Sequence, residues 1–165
     1  MADARNVQGE NPSAALKAWT TTVKEYKEIK FDNFPHMAYI DIYDSNLANA
    51  VVNTSKYTDN LELDWLATVH RLLLTEENFV ILADYSYCLS ADGTEFAVDK
   101  ERFSGLDKAL TSMEKTFPVR LKKFVAERRE EAFKESRTLR GRQIYFMIRE
   151  YFATDVTVTN LYNSN

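Results

Sequence analysis

The chain predicts a mainly α protein, a compact bundle of five to seven helices, and three features of its composition and patterning carry that expectation. Only four Gly and three Pro occur in 165 residues, so tight turns are few and an all-β sandwich or barrel is disfavoured. Hydrophobic residues make up 45% and charged residues 28%, enough apolar side chain to offset chain entropy in one core. Apolar residues recur at steps of three and four through much of the second half, the period of a helix with one buried stripe. A short hairpin at 79–98 is the chief exception, and the alternative fold is α+β with a small sheet built near 38–43, 79–89, 94–98 and 156–160.

Residues 1–12 (MADARNVQGENP) are polar and contain Gly9 and Pro12, which predicts a flexible arm ahead of one helical domain over 13–155. Ser13 then reads as the N-cap of a helix whose stripe is Leu16, Trp19, Val23, Tyr26 and Ile29, ending near Lys30. Met37 to Val52 fits both periods. Ile40 and Ile42 alternate as in a strand, whereas Met37, Ile40, Asp44, Leu47 and Val51 step as in a helix, and the helix is favoured. After the polar stretch 53–60, Leu61, Trp65, Val69, Leu72 and Leu73 mark a helix capped by Asp59 or Asn60.

Thr75 followed by Glu76 and Glu77 resembles another helix start, since anions are favoured there. The run NFVILADYSYCL is read as its continuation. The same run is rich in β-formers and precedes Asp92-Gly93, a hairpin-turn dipeptide, with Glu95 to Val98 available as a return strand. Phe103, Leu106, Leu110, Met113 and Phe117 form one helical stripe that Pro118 must end or kink, and a further helix runs from Pro118 to about Ser136. Ile144, Met147, Ile148, Tyr151 and Phe152 line the last strong helix, followed by a polar tail over 156–165.

Charge is distributed unevenly. Lys115 to Arg149 holds eleven Lys and Arg against four acids, a net +7, while the other residues hold ten against twenty-one, a net −11. Such asymmetry suggests contact with a polyanion or with the acidic surface of a sister molecule. Within this segment Lys123, Glu127, Glu130, Lys134 and Arg137 share one side of a helix, and Glu130 precedes Lys134 by four, the order that favours an ion pair. Much of that face therefore reads as ordinary solvated surface. Arg128 falls instead among Leu121, Phe124, Val125 and Ala132, where a guanidinium needs a carboxylate, a phosphate or an aromatic plane.

Arg142, Tyr145, Phe146 and Arg149 fall at i, i+3, i+4 and i+7, with Arg137 and Arg140 just upstream around Gly141. Cations interleaved with flat rings suit a single strand of nucleic acid, its phosphates neutralised and its bases stacked. The competing reading buries the rings beneath the arginines or pairs the face with an acidic neighbour.

Other chemistries fail to assemble. His36 and His70 have no metal-ligand spacing, no HExxH or paired CxxC pattern occurs, and no glycine-rich phosphate loop is present, so no cofactor is expected. Asp41, Asp44, Asp84 and Asp92 have no spacing that marks paired catalytic carboxylates. Cys88 with His70 and Asp84 could in principle form a thiol nucleophile, base and orienting acid, but a lone Cys is more often a small buried side chain. That single Cys suits a reducing cytoplasmic setting, and no apolar run approaches the roughly 20 residues needed to cross a bilayer.

The expected function is accordingly a non-enzymatic, self-associating subunit that binds single-stranded nucleic acid, RNA foremost, as a coat or nucleocapsid or filament protein does. Its site would comprise Arg128, Arg137, Arg140, Arg142, Tyr145, Phe146 and Arg149. The alternatives are a protein-interaction adaptor with an aromatic groove and a basic face, and a thiol enzyme using Cys88.

Overall fold

The computed structural model describes the backbone of residues 29–163 and the side chains of residues 29–154. The arm expected over 1–12, and nearly all of the helix expected after Ser13, lie outside the described residues. Within them the fold is mainly helical: six helices and one two-stranded antiparallel sheet. The order is α1 (Ile40–Asn53), α2 (Leu61–Arg71), α3 (Glu76–Ile81), β1 (Tyr87–Leu89), β2 (Glu95–Ala97), α4 (Lys100–Leu110), α5 (Val119–Lys134) and α6 (Gly141–Asn163). Short 3-10 turns at Met37–Tyr39 and Thr111–Thr116 lead into α1 and out of α4.

Local chemistry sets the helix starts. Asp59 accepts from the Leu61 N–H at 3.0 Å, Thr75 from Asn78 at 3.2 Å and Asp99 from Glu101 at 3.0 Å, each satisfying a donor that the first turn leaves without an intrahelical partner. The ambiguous 37–52 stretch is helical, its Tyr43, Leu47 and Val51 facing the core. Both readings of 76–98 are partly right. The helix begins at Glu76 as expected but stops at Ile81, and the remaining β-formers pair with Glu95–Ala97 in the register Tyr87 to Ala97, Cys88 to Phe96 and Leu89 to Glu95.

Gly93 takes φ of 90° in the connecting turn, a left-handed conformation with little cost for glycine. Asp92 closes the turn by accepting from Thr94 N at 3.0 Å and Ser90 Oγ at 2.5 Å, and these hydrogen bonds hold its carboxyl down at about 2. The hairpin is tied to α2 by side chains: Leu89 N donates to Thr68 Oγ1 at 3.0 Å and Arg71 donates to Leu89 O at 2.8 Å.

Two helix ends differ from expectation. The stripe running to Phe117 gives up α-helical geometry at Leu110 and completes its path as a 3-10 turn. At the other end the backbone of α6 stays helical to Asn163, beyond the point where a tail was expected.

Helix α6 is the centre of the bundle and packs against α2, α3, α4 and α5. All eight residues from Gly141 to Ile148 are buried. Around it lie Trp65 and Phe103, stacked at 4.9 Å, with Leu82, Leu106, Leu110, Met113, Leu121 and Val125. Gly141 is required by this packing, because a Cβ there would sit 2.1 Å from the Asp107 carbonyl oxygen and 2.7 Å from Leu110 Cβ. Replacing Gly141 with Ala is expected to force α4 and α6 apart and lower stability by about 1–3 kcal/mol, read as a lower urea midpoint at unchanged slope.

Candidate nucleic-acid interface

The start of α6 is satisfied from another helix. Asp107 of α4 accepts from Gly141 N at 2.7 Å and from Arg142 N at 3.0 Å, and Gln143 reaches back to accept from Arg140 N at 3.0 Å. Burial raises the Asp107 carboxyl, while those backbone donors and the Arg142 and Arg140 charges oppose the rise.

This arrangement turns the face expected to meet nucleic acid into the core. Arg142 is 0% exposed and donates to the carbonyls of Trp65 at 3.0 Å and Asp84 at 2.9 Å, with its guanidinium 4.5 Å from the centre of the Trp65 ring. Burial lowers its pKa, and the neighbouring Cys88, Asp107 and Asp84 counter that. Tyr145 is 1% and Phe146 0% exposed, so neither ring can receive a base. Arg149 donates to the carbonyls of Val69 at 2.5 Å and Leu72 at 2.9 Å, satisfying acceptors that the end of α2 leaves open.

The remaining arginines of the expected site are also matched. Arg128 pairs with Glu76 at 2.8 Å across to α3, lies 4.0 Å over the Phe79 ring and sits 3.9 Å from Glu150. Arg140 packs on the Tyr85 ring and donates to its hydroxyl, and Arg137 is held at 2.5 Å by Glu135. Only Arg137 among the seven residues is exposed. The expected strip along α6 is therefore corrected: its cations are internal struts.

Tyr145 also joins a polar cluster between α1, α2 and α6. Its hydroxyl donates to Asp44 at 2.6 Å and lies 2.8 Å from His70 Nε2, with His70 and Asp44 3.6 Å apart. Burial lowers the His70 pKa against the pull of Asp44, and burial raises Asp44. Cys88 is fully buried, and burial pushes its thiol up. His70 is engaged by Tyr145, while Asp84 accepts from Ser86, so each potential partner of a Cys88 nucleophile is held elsewhere. No cluster of three or more His, Cys, Asp or Glu suited to a metal ion occurs among the described residues.

Positive charge that does reach solvent gathers at the start of α5. Residues 115–126 contain Lys115, Arg120, Lys122 and Lys123 and no acid. All four are exposed, and Lys115, Lys122 and Lys123 form no ion pair among the described residues. The α5 N-terminus has Pro118 at its cap, no side-chain cap and no acid in its first turn. Arg120, in that first turn, opposes the helix dipole, at roughly 0.3–1 kcal/mol.

Beside this cationic collar lies an open groove of about 660 Å³ whose lining includes Phe34, Pro35, His36, Phe117, Pro118 and Phe152. Phe34 is central to it, stacked on Phe152 at 5.4 Å and edge-on to Phe117 and Tyr151. Tyr151 lines both this groove and a second one of about 480 Å³ between α5 and α6, where Arg120 and Phe124 also lie. Two Phe-Pro dipeptides, Phe34-Pro35 and Phe117-Pro118, supply much of the first groove and were its one legible mark in the sequence.

Comparison of the chain with protein-family models, with curated proteins and with solved structures finds no match in any of the three.

Two outcomes follow from the buried groups. His70 favours its neutral form in the fold, so its contribution to stability is present above the ordinary histidine range, near 6.5, and is lost as pH falls through it. Asp44, shifted the other way, acts in the opposite sense at lower pH. Urea titrations at pH 7.5 and 5.5 should show that loss in the native chain and a smaller one in His70→Gln. A maleimide reagent should label Cys88 only after unfolding, and rapid labelling of the folded chain would restore the thiol-enzyme reading.

Proposed function

We propose that the chain is a non-enzymatic nucleic-acid-binding subunit whose contact surface is the cationic collar at the start of α5 and the adjoining aromatic groove. One observation carries this reading. Four cations without an acid are placed over residues 115–126, Lys115 just ahead of α5 and Arg120, Lys122 and Lys123 within its first five residues, and three have no anionic partner among the described residues. Among the described residues the other arginines are engaged internally or by nearby acids, and Lys30, Lys56 and Lys108, also exposed, stand singly, so the collar is set apart by its grouping. A bound phosphate would relieve both the mutual repulsion and the conflict with the dipole, and the uncapped first-turn N–H groups add donors of the same preference.

The groove supports a single strand over a duplex. Phe34, Tyr151 and Phe152 are half-buried rings held in fixed orientation by one another, and a splayed base can lie on such a surface whatever its identity. Recognition of this kind is governed by backbone charge and stacking, with little dependence on sequence.

Fluorescence anisotropy with a labelled single-stranded RNA of mixed sequence tests the proposal. Binding should weaken with salt with a log–log slope of about −2 to −3 for three or four phosphate contacts. The double variant Lys115→Gln, Lys122→Gln should reduce the magnitude of that slope by about 1.4 and lower affinity at least severalfold. Absence of binding at 25 mM salt, or an unchanged slope in the variant, contradicts the assignment. Retention of an acidic protein by the same surface, with no RNA binding, would favour the adaptor reading.

A further inference from the structure

We propose that the recess between residues 30–32 and α1 is a binding site for one water molecule, held by the Tyr43 hydroxyl, the Asp32 carboxylate and the Asn46 side-chain amide. Tyr43 is 4% exposed, and its hydroxyl oxygen is buried with no hydrogen-bond partner among the described residues. A phenol taken out of water without a partner is costly, so a hydroxyl in such a place is normally met by a protein group or by an ordered water.

The surroundings favour water. Lys30, Phe31, Asp32, Tyr43, Asn46 and Leu47 line a space of about 20 Å³, and a single water requires roughly 10–15 Å³. The space therefore admits one molecule and is too small for a hydrated ion or an organic ligand. Part of its wall is polar. Asp32 Oδ2 accepts from Asn46 Nδ2 at 2.9 Å, and the second oxygen of Asp32 and the amide oxygen of Asn46 can each accept a further hydrogen bond.

Burial raises the Tyr43 pKa, and the charges of Asp44 and Asp32 add to the rise, so the phenol stays neutral within the field of both carboxylates and is kept as a donor. Asp44 is already bonded by the Tyr145 hydroxyl at 2.6 Å. A water that accepts from Tyr43 can direct its own two protons to Asp32 and Asn46, which makes about three hydrogen bonds, the usual number for a buried water. Cavities that stay dry are apolar, and this one is not.

The site has a structural consequence. Residues 30–32 precede α1 in the chain yet lie against its middle, where Tyr43 and Leu47 are buried in the core with Ile29. The water supplies a second joint beside the hydrogen bond from Asn46 to Asp32. Phe34 follows two residues later as the central ring of the aromatic groove, so this joint helps fix the segment that carries it. The inference does not rest on nucleic-acid binding.

Crystal structures of the full chain and of Tyr43→Phe, at a resolution that shows ordered waters, test the site together with urea unfolding of both. The native chain should hold a water within about 3.2 Å of Tyr43 Oη and of a second polar group of the recess, and Tyr43→Phe should lack it. The variant loses the bridge, so its urea midpoint should fall at unchanged slope. A hydroxyl without any partner predicts the opposite, because removing it discards a desolvated polar group and breaks no bond. A recess without a water, a direct bond from Tyr43 Oη to a protein group, or a midpoint that is unchanged or raised in Tyr43→Phe overturns the proposal.

Discussion

The rest of the structure depends on how the N-terminus of α6 is buried. A helix start carries unsatisfied N–H donors and partial positive charge, and here it is driven into the middle of the bundle. Asp107 makes this tolerable by accepting from the first two N–H groups. Gly141 makes it geometrically feasible by letting α4 approach to within the space of a missing Cβ. Arg142 then follows inward and spans from Trp65 to Asp84, joining α2 to the loop ahead of the hairpin. Removing one partner of such a network leaves another buried group unpaired, which is costly in a medium without water.

That constraint also determines which charges are available outside. Once α6 is enclosed, its arginines satisfy carbonyls and stack on rings: Arg149 closes the end of α2, and Arg128 joins α5 to α3 through Glu76. The basic character of the carboxyl-terminal third is thus largely structural. The proposed reading assigns a polyanion to the first part of α5, where exposed cations are grouped beside an aromatic groove.

The helical class, the helix from Pro118 onward and the turn at Asp92-Gly93 were legible because each rests on local chemistry: periodicity, a proline, a dipeptide. The inward turn of Arg142, Tyr145 and Phe146 was not. Wheel reasoning assumes one buried face, and it misassigns every polar residue of a helix enclosed all round. Arg128 was legible as a side chain that needs an acid or a ring, and it has both, but Glu76 and Phe79 lie some fifty positions away in the chain. For the same reason the aromatic groove was not legible beyond its two Phe-Pro dipeptides, since Phe34 and Phe152 meet only through the fold. The collar, in contrast, is contiguous, but the larger charge total to Arg149 obscured it.

The central claim is that the polyanion-facing surface lies at the start of α5 and not along α6. Lysine acetylation followed by mass spectrometry, with and without saturating single-stranded RNA, tests it most directly. The account predicts protection of Lys115, Lys122 and Lys123, with Lys56 and Lys100 unchanged. Uniform protection of all five, or protection confined to Lys56 and Lys100, would contradict it.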